Sequence, residues 1–325
     1  MHSTRVPRLG RDVSVIGLGC WQLGADWGDV GDDTAQEILE AAHAAGVTFY
    51  DTADAYGDGR SERALGAFRA RHPEITVATK MGRRADPHVA DAYTLDNFRA
   101  WTDRSRENLG VDTLDLVQLH CPPTAVFEAQ ETYNHLALLV EEGRTSHWGV
   151  SVETCEEALE ALRHEGLATI QIIVNIFRRK PFERVIGAAA DAGVGVIARV
   201  PLASGLLSGK YTEHTTFAAT DHRTYNRHGE SFDVGETFSG VPFDIGVAAA
   251  REVAALTPEG WTTAQFALAW LAQSGVATVI PGARTPDQAR ANAAAADLPV
   301  LGEDTLAALA DIYDRDIREH VHSHW

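Results

Sequence analysis

The sequence predicts an α/β fold, specifically a (β/α)8 TIM barrel, and three observations lead to this prediction. The chain has 325 residues, enough for one large barrel or two ordinary domains. From Asp32 onward, helical periodicity alternates with short β-branched runs, which indicates βα units and a parallel sheet. Eight such strands, each followed by a helix, favour a single barrel domain over residues 1–325 rather than a doubly wound sheet in two domains.

The eight candidate strands are short apolar runs bounded by glycine, proline or polar residues. In chain order they read SVIGLG, VTFYDT, ITVATK, LDLVQLH, TSHWGVSV, ATIQIIVNIF, GVGVIARV and GVATVIPG. The segments between them have the periodicity of amphipathic helices, as in DDTAQEILEAAHAAG, SERALGAFRARH, LDNFRAWTDRSRENLG, FEAQETYNHLALLVEEG and ETCEEALEALRHEG. Several of these helices end on a glycine, which suits a left-handed C-cap.

Three segments lie outside the repeating pattern. Residues 5–13 have the turn signals of an N-terminal hairpin, and residues from about 304 to 325 form a C-terminal helical tail. The segment at about 203–241 is polar, punctuated by glycine and too long for an ordinary connection, so we expect a lid over a site rather than a solvated excursion. Its His222, His228 and Asp233 match no established metal-site spacing, which favours a surface loop over a metal site.

Composition narrows the class of partner and the compartment. A formal net charge of -18 argues against nucleic acid and acidic membrane surfaces as partners. Cys20, Cys121 and Cys155 are widely spaced, which indicates free thiols in a reducing compartment. The N-terminus does not resemble a signal peptide and no apolar run is long enough to span a bilayer, so we expect a cytoplasmic protein. Nothing in the sequence indicates an oligomeric state.

Reactive side chains follow three successive predicted strands. Asp51, Lys80 and His120 stand where VTFYD, ITVATK and LDLVQLH end, and the carboxyl ends of barrel strands share one mouth. Tyr56 follows in the loop after Asp51. A phenol is a weak acid at neutral pH, but a neighbouring Lys80 ammonium would lower its pKa by stabilising the phenolate. With Asp51 holding Lys80 and His120 orienting a carbonyl oxygen, these four residues predict a site that donates a proton to a carbonyl.

Such a site needs a hydride from a cofactor, and the glycines of GLGCWQLG do not identify one. Gly17 and Gly19 resemble the start of a dinucleotide fingerprint, but the next glycine, Gly24, comes five residues later instead of three. A Rossmann interpretation is therefore weak.

Six motifs carry a family resemblance that covers nearly the whole chain. YDTADAYG, ATKMG, QLH, GVS, PLASGLLSGKY and IPGARTPDQARAN occur in an order that resembles the aldo-keto reductases, in particular bacterial NADP-dependent members. The resemblance implies a (β/α)8 barrel, carbonyl reduction by a nicotinamide cofactor without a metal, and a catalytic tetrad of Asp51, Tyr56, Lys80 and His120, with Tyr56 as the acid.

The same resemblance implies cofactor contacts. Ser151 and Gln171 would hydrogen-bond the carboxamide, and Trp21, Asp51 and Arg199 would lie near the nicotinamide. The remaining implied contacts are the pyrophosphate loop, Leu202, Ser204, Gly205, Ser208 and Lys210, and the adenosine segment, Gly282, Arg284, Gln288 and Asn292. A helix start beside an arginine suits a 2′-phosphate, so NADPH is the expected cofactor.

Three positions depart from the family pattern. Val152 follows Ser151 where many members carry asparagine, and Arg199 stands where many place an aromatic that stacks on the nicotinamide. Gly282 replaces a lysine of the adenosine segment, so recognition of the phosphate would depend on Arg284.

The expected substrate is a small carbonyl compound. Trp21, Trp27 and Cys121 would wall its pocket beside Tyr56 and His120, although Trp27 fits equally well as an aromatic packed under the lid. Such a pocket suits an apolar or sugar-like aldehyde or ketone.

Two other functions fit parts of the sequence. A cofactor-sensing regulatory subunit is one, since potassium-channel β subunits resemble this family. A barrel glycosidase using Asp51 and Asp54 is the other, but two carboxylates three residues apart fit the required geometry across a glycosidic bond poorly.

Overall fold

A hairpin begins the fold and closes one end of the barrel. The computed structural model describes residues 1–24 and 30–325. Strands β1 (Ser3–Val6) and β2 (Arg11–Ser14) pair antiparallel around a short 3₁₀ turn, as predicted. Val6, Leu9 and Val13 pack with residues at the amino ends of the barrel strands, such as Phe49 and Leu116. The hairpin therefore fills the barrel end opposite the predicted reactive residues.

Eight parallel strands form the barrel. They are β3 (Leu18–Gly19), β4 (Phe49–Asp51), β5 (Thr76–Met81), β6 (Leu116–His120), β7 (Trp148–Ser151), β8 (Leu167–Ile173), β9 (Gly195–Arg199) and β10 (Thr278–Val279). They neighbour one another in chain order, and parallel bridges from Ile16 to Val279 and from Gly19 to Gly282 join the first strand to the last. The predicted (β/α)8 barrel is confirmed.

The glycines of the GLG motif are explained by this closure. A Cβ atom on Gly17 would lie 2.9 Å from the carbonyl oxygen of Phe49, and one on Gly19 would lie 2.8 Å from that of Ile280. Both glycines therefore allow close approach of neighbouring backbones, which is one of the common uses of glycine in a strand.

Helices connect the strands and cover the barrel. Their bounds are α1 (Asp32–Ala44), α2 (Arg60–Arg69), α3 (Leu95–Leu109), α4 (Thr124–Glu128), α5 (Gln130–Glu141), α6 (Cys155–Ala161), α7 (Lys180–Arg184), α8 (Ile186–Asp191), α9 (His222–Tyr225), α10 (Phe243–Ala255), α11 (Thr263–Ala272), α12 (Pro286–Ala294), α13 (Glu303–Ile312) and α14 (Arg318–Val321). The predicted helix FEAQETYNHLALLVEEG is split, because Ala129 has an extended ψ of 111° between α4 and α5. Within the described ranges, no helix combines the length and apolar character needed to cross a bilayer.

The insertion at 203–241 contains α9 and several short 3₁₀ turns, and the C-terminal tail contains α13 and α14. The last residue, Trp325, is buried, and its indole Nε1 donates to Asp233 Oδ1 of the insertion at 3.0 Å. The tail therefore holds the insertion from outside the barrel.

Candidate active site

Strand register places four predicted polar residues at the same end of the barrel. His120 on β6 pairs in register with Ser151 on β7, which pairs with Gln171 on β8, while Asp51 ends β4. Each of these residues lies at or near the carboxyl end of its strand, and the carboxyl ends of parallel barrel strands share one mouth.

Two glycines fix the loop that carries Tyr56. Gly57 has a φ of +58° and packs directly against the backbone of Gly24. A Cβ atom on Gly24 would lie 2.7 Å from the carbonyl carbon of Tyr56. Only a residue without a side chain permits this contact, which holds Tyr56 over the barrel mouth.

Lys80 is buried and makes three hydrogen bonds. Its Nζ donates to Asp51 Oδ1 at 2.5 Å, to the carbonyl oxygen of Thr52 at 2.8 Å and to the Tyr56 hydroxyl at 3.2 Å. An ammonium group has three protons, so these contacts use all of them. The structure thus brings Asp51, Lys80 and Tyr56 together as the sequence predicts.

The pKa of Tyr56 corrects one expectation. Burial raises it above the ordinary value of a phenol, and the Lys80 ammonium lowers it by a smaller amount. Lys80 lowers the pKa as predicted, but the pKa of Tyr56 is raised all the same, because the desolvation of the phenolate outweighs its attraction to Lys80. Burial lowers the pKa of Lys80, but Asp51 and Tyr56 together raise it above its ordinary value, so the ammonium keeps its charge.

His120 is neutral in this environment. Burial lowers its pKa well below the ordinary value, and the positive charges of Arg83, Lys80 and Arg199 lower it further. Its ring lies edge-on to Tyr56, with centroids 5.7 Å apart. Among the described residues its Nδ1 has no hydrogen-bond partner.

Two glutamine side chains hold the second oxygen of Asp51. Gln171 Nε2 donates to Asp51 Oδ2 at 2.7 Å, and Gln118 Nε2 approaches the same oxygen at 3.3 Å. Because a carboxylate only accepts hydrogen bonds, these contacts orient both amides. Gln118 was not predicted, although its position two residues before His120 places it on the same face of β6.

A cavity of about 480 Å³ opens at this mouth. It is lined by nearly every residue predicted for the site: Trp21, Asp51, Tyr56, His120, Cys121, Ser151, Gln171, Arg199, Leu202, Ser204, Gly205, Ser208, Lys210, Gly282, Arg284, Gln288 and Asn292. Lys80 lies behind Tyr56 rather than on the wall, and Trp27 lies outside the described residues. The cavity therefore extends from Tyr56 to the segment predicted to bind adenosine.

Arg199 is surrounded by carboxyl groups that were not predicted. Its guanidinium donates to Glu153 Oε2 at 2.8 Å, and Glu236 Oε2 lies 3.5 Å away. Glu236, from the insertion, is also paired with Arg83 at 3.1 Å. Glu153 follows the end of a predicted strand, so its position could have indicated a place at the barrel mouth. Nothing in the sequence links Glu236 to the barrel.

The pKa values of Glu153 and Glu236 are shifted in opposite directions. Burial raises the pKa of Glu153 to about 7. Burial acts on Glu236 in the same direction, but Arg199 and Arg83 outweigh it and lower its pKa to about 2. The two arginines therefore hold Glu236 as a carboxylate, and Glu153 is the more readily protonated of the two carboxyl groups.

The other two departures have structural reasons. The side chain of Gln22, which lines the cavity, occupies the space that any side chain at Gly282 would need. Val152 is fully buried in the hydrophobic core, and its carbonyl oxygen accepts a hydrogen bond from Arg199 at 3.1 Å.

The adenosine segment is braced by its own side chains. Gln288 Oε1 accepts a hydrogen bond from the backbone N–H of Arg284 at 2.7 Å, and Asn292 Nδ2 donates to the Gly282 carbonyl at 3.1 Å. The side chain of Arg284 is exposed. These contacts hold the segment in shape and leave the arginine at its rim.

The insertion covers part of the cavity. Trp21 stacks on Tyr56 with ring centroids 6.1 Å apart and contacts the buried His222 at 5.3 Å. His228 is exposed, and His222, His228 and Asp233 form no metal-ligating group within the described part of the chain. Cys20, Cys121 and Cys155 are free thiols, as predicted.

The glycosidase alternative finds no support in this geometry. Asp51 is committed to Lys80, and Asp54 is fully buried away from the cavity wall.

Comparison with known proteins gives consistent matches over most of the chain. A sequence model of the aldo/keto reductase family matches residues 15–314. Among curated relatives, the aldo-keto reductase YhdN of Bacillus subtilis is 30% identical over 301 residues, covering 90% of this chain and 87% of that protein. A probable voltage-gated potassium channel subunit beta of Arabidopsis thaliana is 27% identical over 319 residues, covering 93% of each chain.

Solved structures resemble the chain over nearly its full length. A glycerol dehydrogenase from Gluconobacter oxydans superposes with a TM-score of 0.79 at 27% identity, covering 97% of this chain and 96% of that one. An aldo-keto reductase from Klebsiella pneumoniae in complex with NADPH has a TM-score of 0.69 at 26% identity and covers 96% of each chain.

Proposed function

Because the chain belongs to the aldo/keto reductase family of oxidoreductases, we propose that it reduces a small aldehyde or ketone with NADPH, using Tyr56 as the proton donor. The observation that carries the proposal is the hydrogen bond from the Lys80 ammonium to the Tyr56 hydroxyl, at the wall of the cavity.

This hydrogen bond determines where the proton of Tyr56 points. Lys80 has no lone pair and can only donate, so the Tyr56 oxygen is the acceptor. The phenolic proton is then directed away from Lys80, toward the cavity. A carbonyl oxygen placed there would receive this proton, and the ammonium would stabilise the phenolate that remains.

Neutral His120 orients the same oxygen. A neutral imidazole has one N–H donor and one acceptor nitrogen, so it can hold a carbonyl oxygen without competing as an acid. Its ring lies beside Tyr56, and its pKa is low enough to keep it neutral across the physiological range.

The lining of the cavity fits a nicotinamide dinucleotide phosphate. With its nitrogen committed to Asp51, Gln171 has its amide oxygen left to accept from a carboxamide, and Ser151 lies next to it on the neighbouring strand. At the other end of the cavity, Lys210 and Arg284 offer positive charge for phosphate groups. NADPH, when bound, supplies the hydride; a solved relative from Klebsiella pneumoniae carries the same cofactor.

The proposal is tested by comparing carbonyl reduction by the wild-type chain with that by the Tyr56→Phe variant. The purified chain is mixed with NADPH and aldehydes, ketosteroids, quinones or keto-sugars, and the loss of NADPH absorbance is followed. We expect turnover of at least one class, a loss of roughly 10²- to 10⁴-fold in kcat for Tyr56→Phe, and unchanged NADPH affinity.

Tyr93→Phe is the matched control, because it removes a buried tyrosine hydroxyl that bonds His88 outside the cavity. It should retain wild-type activity. If Tyr56→Phe keeps more than about a tenth of the rate, Tyr56 is not the acid.

A cofactor-sensing regulatory subunit is the second candidate, favoured by the similarity to a potassium channel subunit beta. It would bind NADPH tightly without turning over any carbonyl in the panel. The complete Asp51, Lys80 and Tyr56 contacts make the reductase the better candidate.

A further inference from the structure

Two histidines and a glutamate converge on the outside of the barrel, far from the cavity. His43 lies in the last turn of α1, and His72 and Glu74 lie in the connection between α2 and β5. These positions precede β4 and β5, so the cluster lies at the amino-terminal end of the strands. The cavity lies at the opposite end, where Asp51 and Lys80 stand.

The three side chains are close enough to bind one ion. His43 Nε2 lies 2.8 Å and His72 Nδ1 lies 3.7 Å from Glu74 Oε1. The ligand atoms of all three lie within 4.8 Å of one another. In a tetrahedral zinc site with bonds of about 2.0–2.1 Å, neighbouring ligand atoms are about 3.3 Å apart, and the two measured distances bracket this value.

A second carboxylate orients His72. Its other ring nitrogen, Nε2, lies 3.2 Å from Glu40 Oε2, and Glu40 is itself held by Arg71 at 3.0 Å. Because a carboxylate only accepts, His72 Nε2 carries the hydrogen, which leaves the lone pair on Nδ1 for an ion. By the same rule His43 Nε2 donates to Glu74 in the free chain, and its hydrogen would move to Nδ1 when an ion binds. Metal-binding histidines commonly donate their second ring nitrogen to a carboxylate in this way.

A buried aromatic ring packs against both histidines of the cluster. Phe68 is fully buried, and its ring centroid lies 5.9 Å from that of His43 and 4.5 Å from that of His72. Both imidazoles are partly buried against it, with 29% and 21% of their side-chain surface exposed. The ligand atoms therefore lie close together in the folded chain before any ion binds.

We infer that His43, His72 and Glu74 form a binding site for a divalent transition-metal ion of the zinc type, with Glu40 as a positioning residue. Imidazole and carboxylate ligands suit Zn²⁺, and three protein ligands leave a fourth position for water. The ion would link α1 to the connection before β5 and stabilise this end of the barrel. It would take no part in the chemistry at Tyr56.

A second group of potential ligands, Cys121, Glu153 and Glu236, is a weaker candidate. Arg199 and Arg83 already pair with its carboxyl groups, and their positive charges repel a cation.

Zinc titration of the full chain tests the site. We expect Zn²⁺ to bind with one ion per chain by calorimetry and to raise the midpoint of thermal unfolding with increasing concentration. Mg²⁺, which prefers oxygen ligands, should do neither at the same concentrations. Glu74→Gln, an exposed substitution that should leave the fold intact, is expected to weaken zinc at least 100-fold, as are His43→Gln and His72→Gln.

Glu40→Gln separates a positioning role from ligation, and we expect it to weaken zinc by about 10- to 100-fold. The matched control is His320→Gln combined with His324→Gln, which removes two histidines of the C-terminal tail and should leave zinc affinity unchanged. Unchanged affinity in Glu74→Gln and His72→Gln, or loss only in the tail variant, would overturn the site. Carbonyl reduction is not a readout here, so failure of this inference is distinct from failure of the proposed function.

Discussion

Arg199 carries its charge between two carboxyl groups, and this arrangement changes its expected effect on a cofactor. If the nicotinamide lies against Arg199, as the family resemblance implies, an unpaired guanidinium would repel the cationic oxidised ring and leave the neutral reduced ring undisturbed. Glu153 at 2.8 Å and Glu236 at 3.5 Å offset part of that repulsion. The net preference for NADPH over NADP⁺ then depends on whether Glu153 is ionised.

We predict opposite effects from two substitutions in this network. At pH 8, where Glu153 with a pKa of about 7 is mostly ionised, Glu153→Gln should weaken NADP⁺ relative to NADPH, because it removes a compensating negative charge. Arg199→Tyr should tighten NADP⁺ relative to NADPH. A change of about 1 kcal/mol corresponds to roughly fivefold in either ratio.

Titrating both cofactors into both variants measures these ratios. The effect of Glu153→Gln should disappear at pH 5.5, because the native Glu153 is then protonated and, like glutamine, carries no charge. Shifts of the same sign in both variants would mean that the ring lies elsewhere.

Arg284 is the exposed cation at the adenosine end of the cavity. Because its backbone is braced by Gln288, we expect its side chain rather than its loop to bind a 2′-phosphate. Arg284→Ala should weaken NADPH by about 10- to 100-fold, the worth of a charged hydrogen bond, and leave NADH almost unchanged. Arg290→Ala, which removes a nearby arginine paired with Asp287, is the control. Equal losses for NADPH and NADH would contradict the assignment to the phosphate.

At the level of elements, contacts near the cavity and on the outer side of the barrel help to hold the insertion. Glu236 pairs with Arg83 and Arg199 near the cavity. On the outer side, Trp325 bonds Asp233, and Arg178 lies 4.0 Å from the Trp325 ring centroid. These contacts add to packing within the insertion, where Phe217 lies against Phe238 and the buried Asn226 donates to Thr237 at 3.1 Å.

We predict that the Trp325 contact stabilises the insertion in particular. Trp325→Ala removes a buried aromatic side chain and should cost about 3 to 5 kcal/mol of unfolding free energy. It should also expose the insertion to limited proteolysis, with cleavage mapping to residues 203–241. Trp325→Phe keeps an aromatic ring but loses the bond to Asp233, and we expect it to cost less than the alanine variant, about 1 kcal/mol for the lost hydrogen bond. Cleavage outside the insertion in the alanine variant would count against this role of the tail.

For the whole molecule, stability depends on a buried carboxyl group that the proposed chemistry does not use. Asp54 is fully buried, and among the described residues no side chain donates a hydrogen bond to it. Burial, with help from the nearby Glu62, raises its pKa from 3.8 to about 7. Between these two values the folded state binds more protons than the unfolded state, so stability falls as pH rises through this window.

Asp54→Asn should therefore stabilise the protein more at pH 8 than at pH 4. A pKa difference of about 3 corresponds to about 4 kcal/mol of unfolding free energy. The buried amide of the variant lacks some hydrogen-bond partners, and this destabilises the folded state at both pH values. We expect the change in unfolding free energy to be about 2 to 4 kcal/mol more favourable at pH 8, as measured by urea unfolding. A pH-independent change would mean that the pKa of Asp54 in the folded chain stays close to its unfolded value of 3.8.

Local pattern alone predicted the eight strands and the polar residues at their ends. The periodicity of a strand depends on residues that are neighbours in the sequence. In a parallel barrel the carboxyl ends of all strands lie at one mouth. Asp51, Lys80 and His120 could therefore be grouped before any contact was known. That residues 1–325 form one domain stays a prediction.

Only the tertiary structure decided which groups surround these residues and how far they are buried. Glu236 reaches Arg199 from a distant insertion, and Gln22 fills the space beside Gly282. His43 of α1 meets His72, which lies in the connection after α2. Burial raised the pKa of Tyr56, although the neighbouring Lys80 was correctly predicted to lower it. Desolvation depends on every atom packed around a group, and contacts between distant segments depend on how the whole chain closes, so no local pattern contains either.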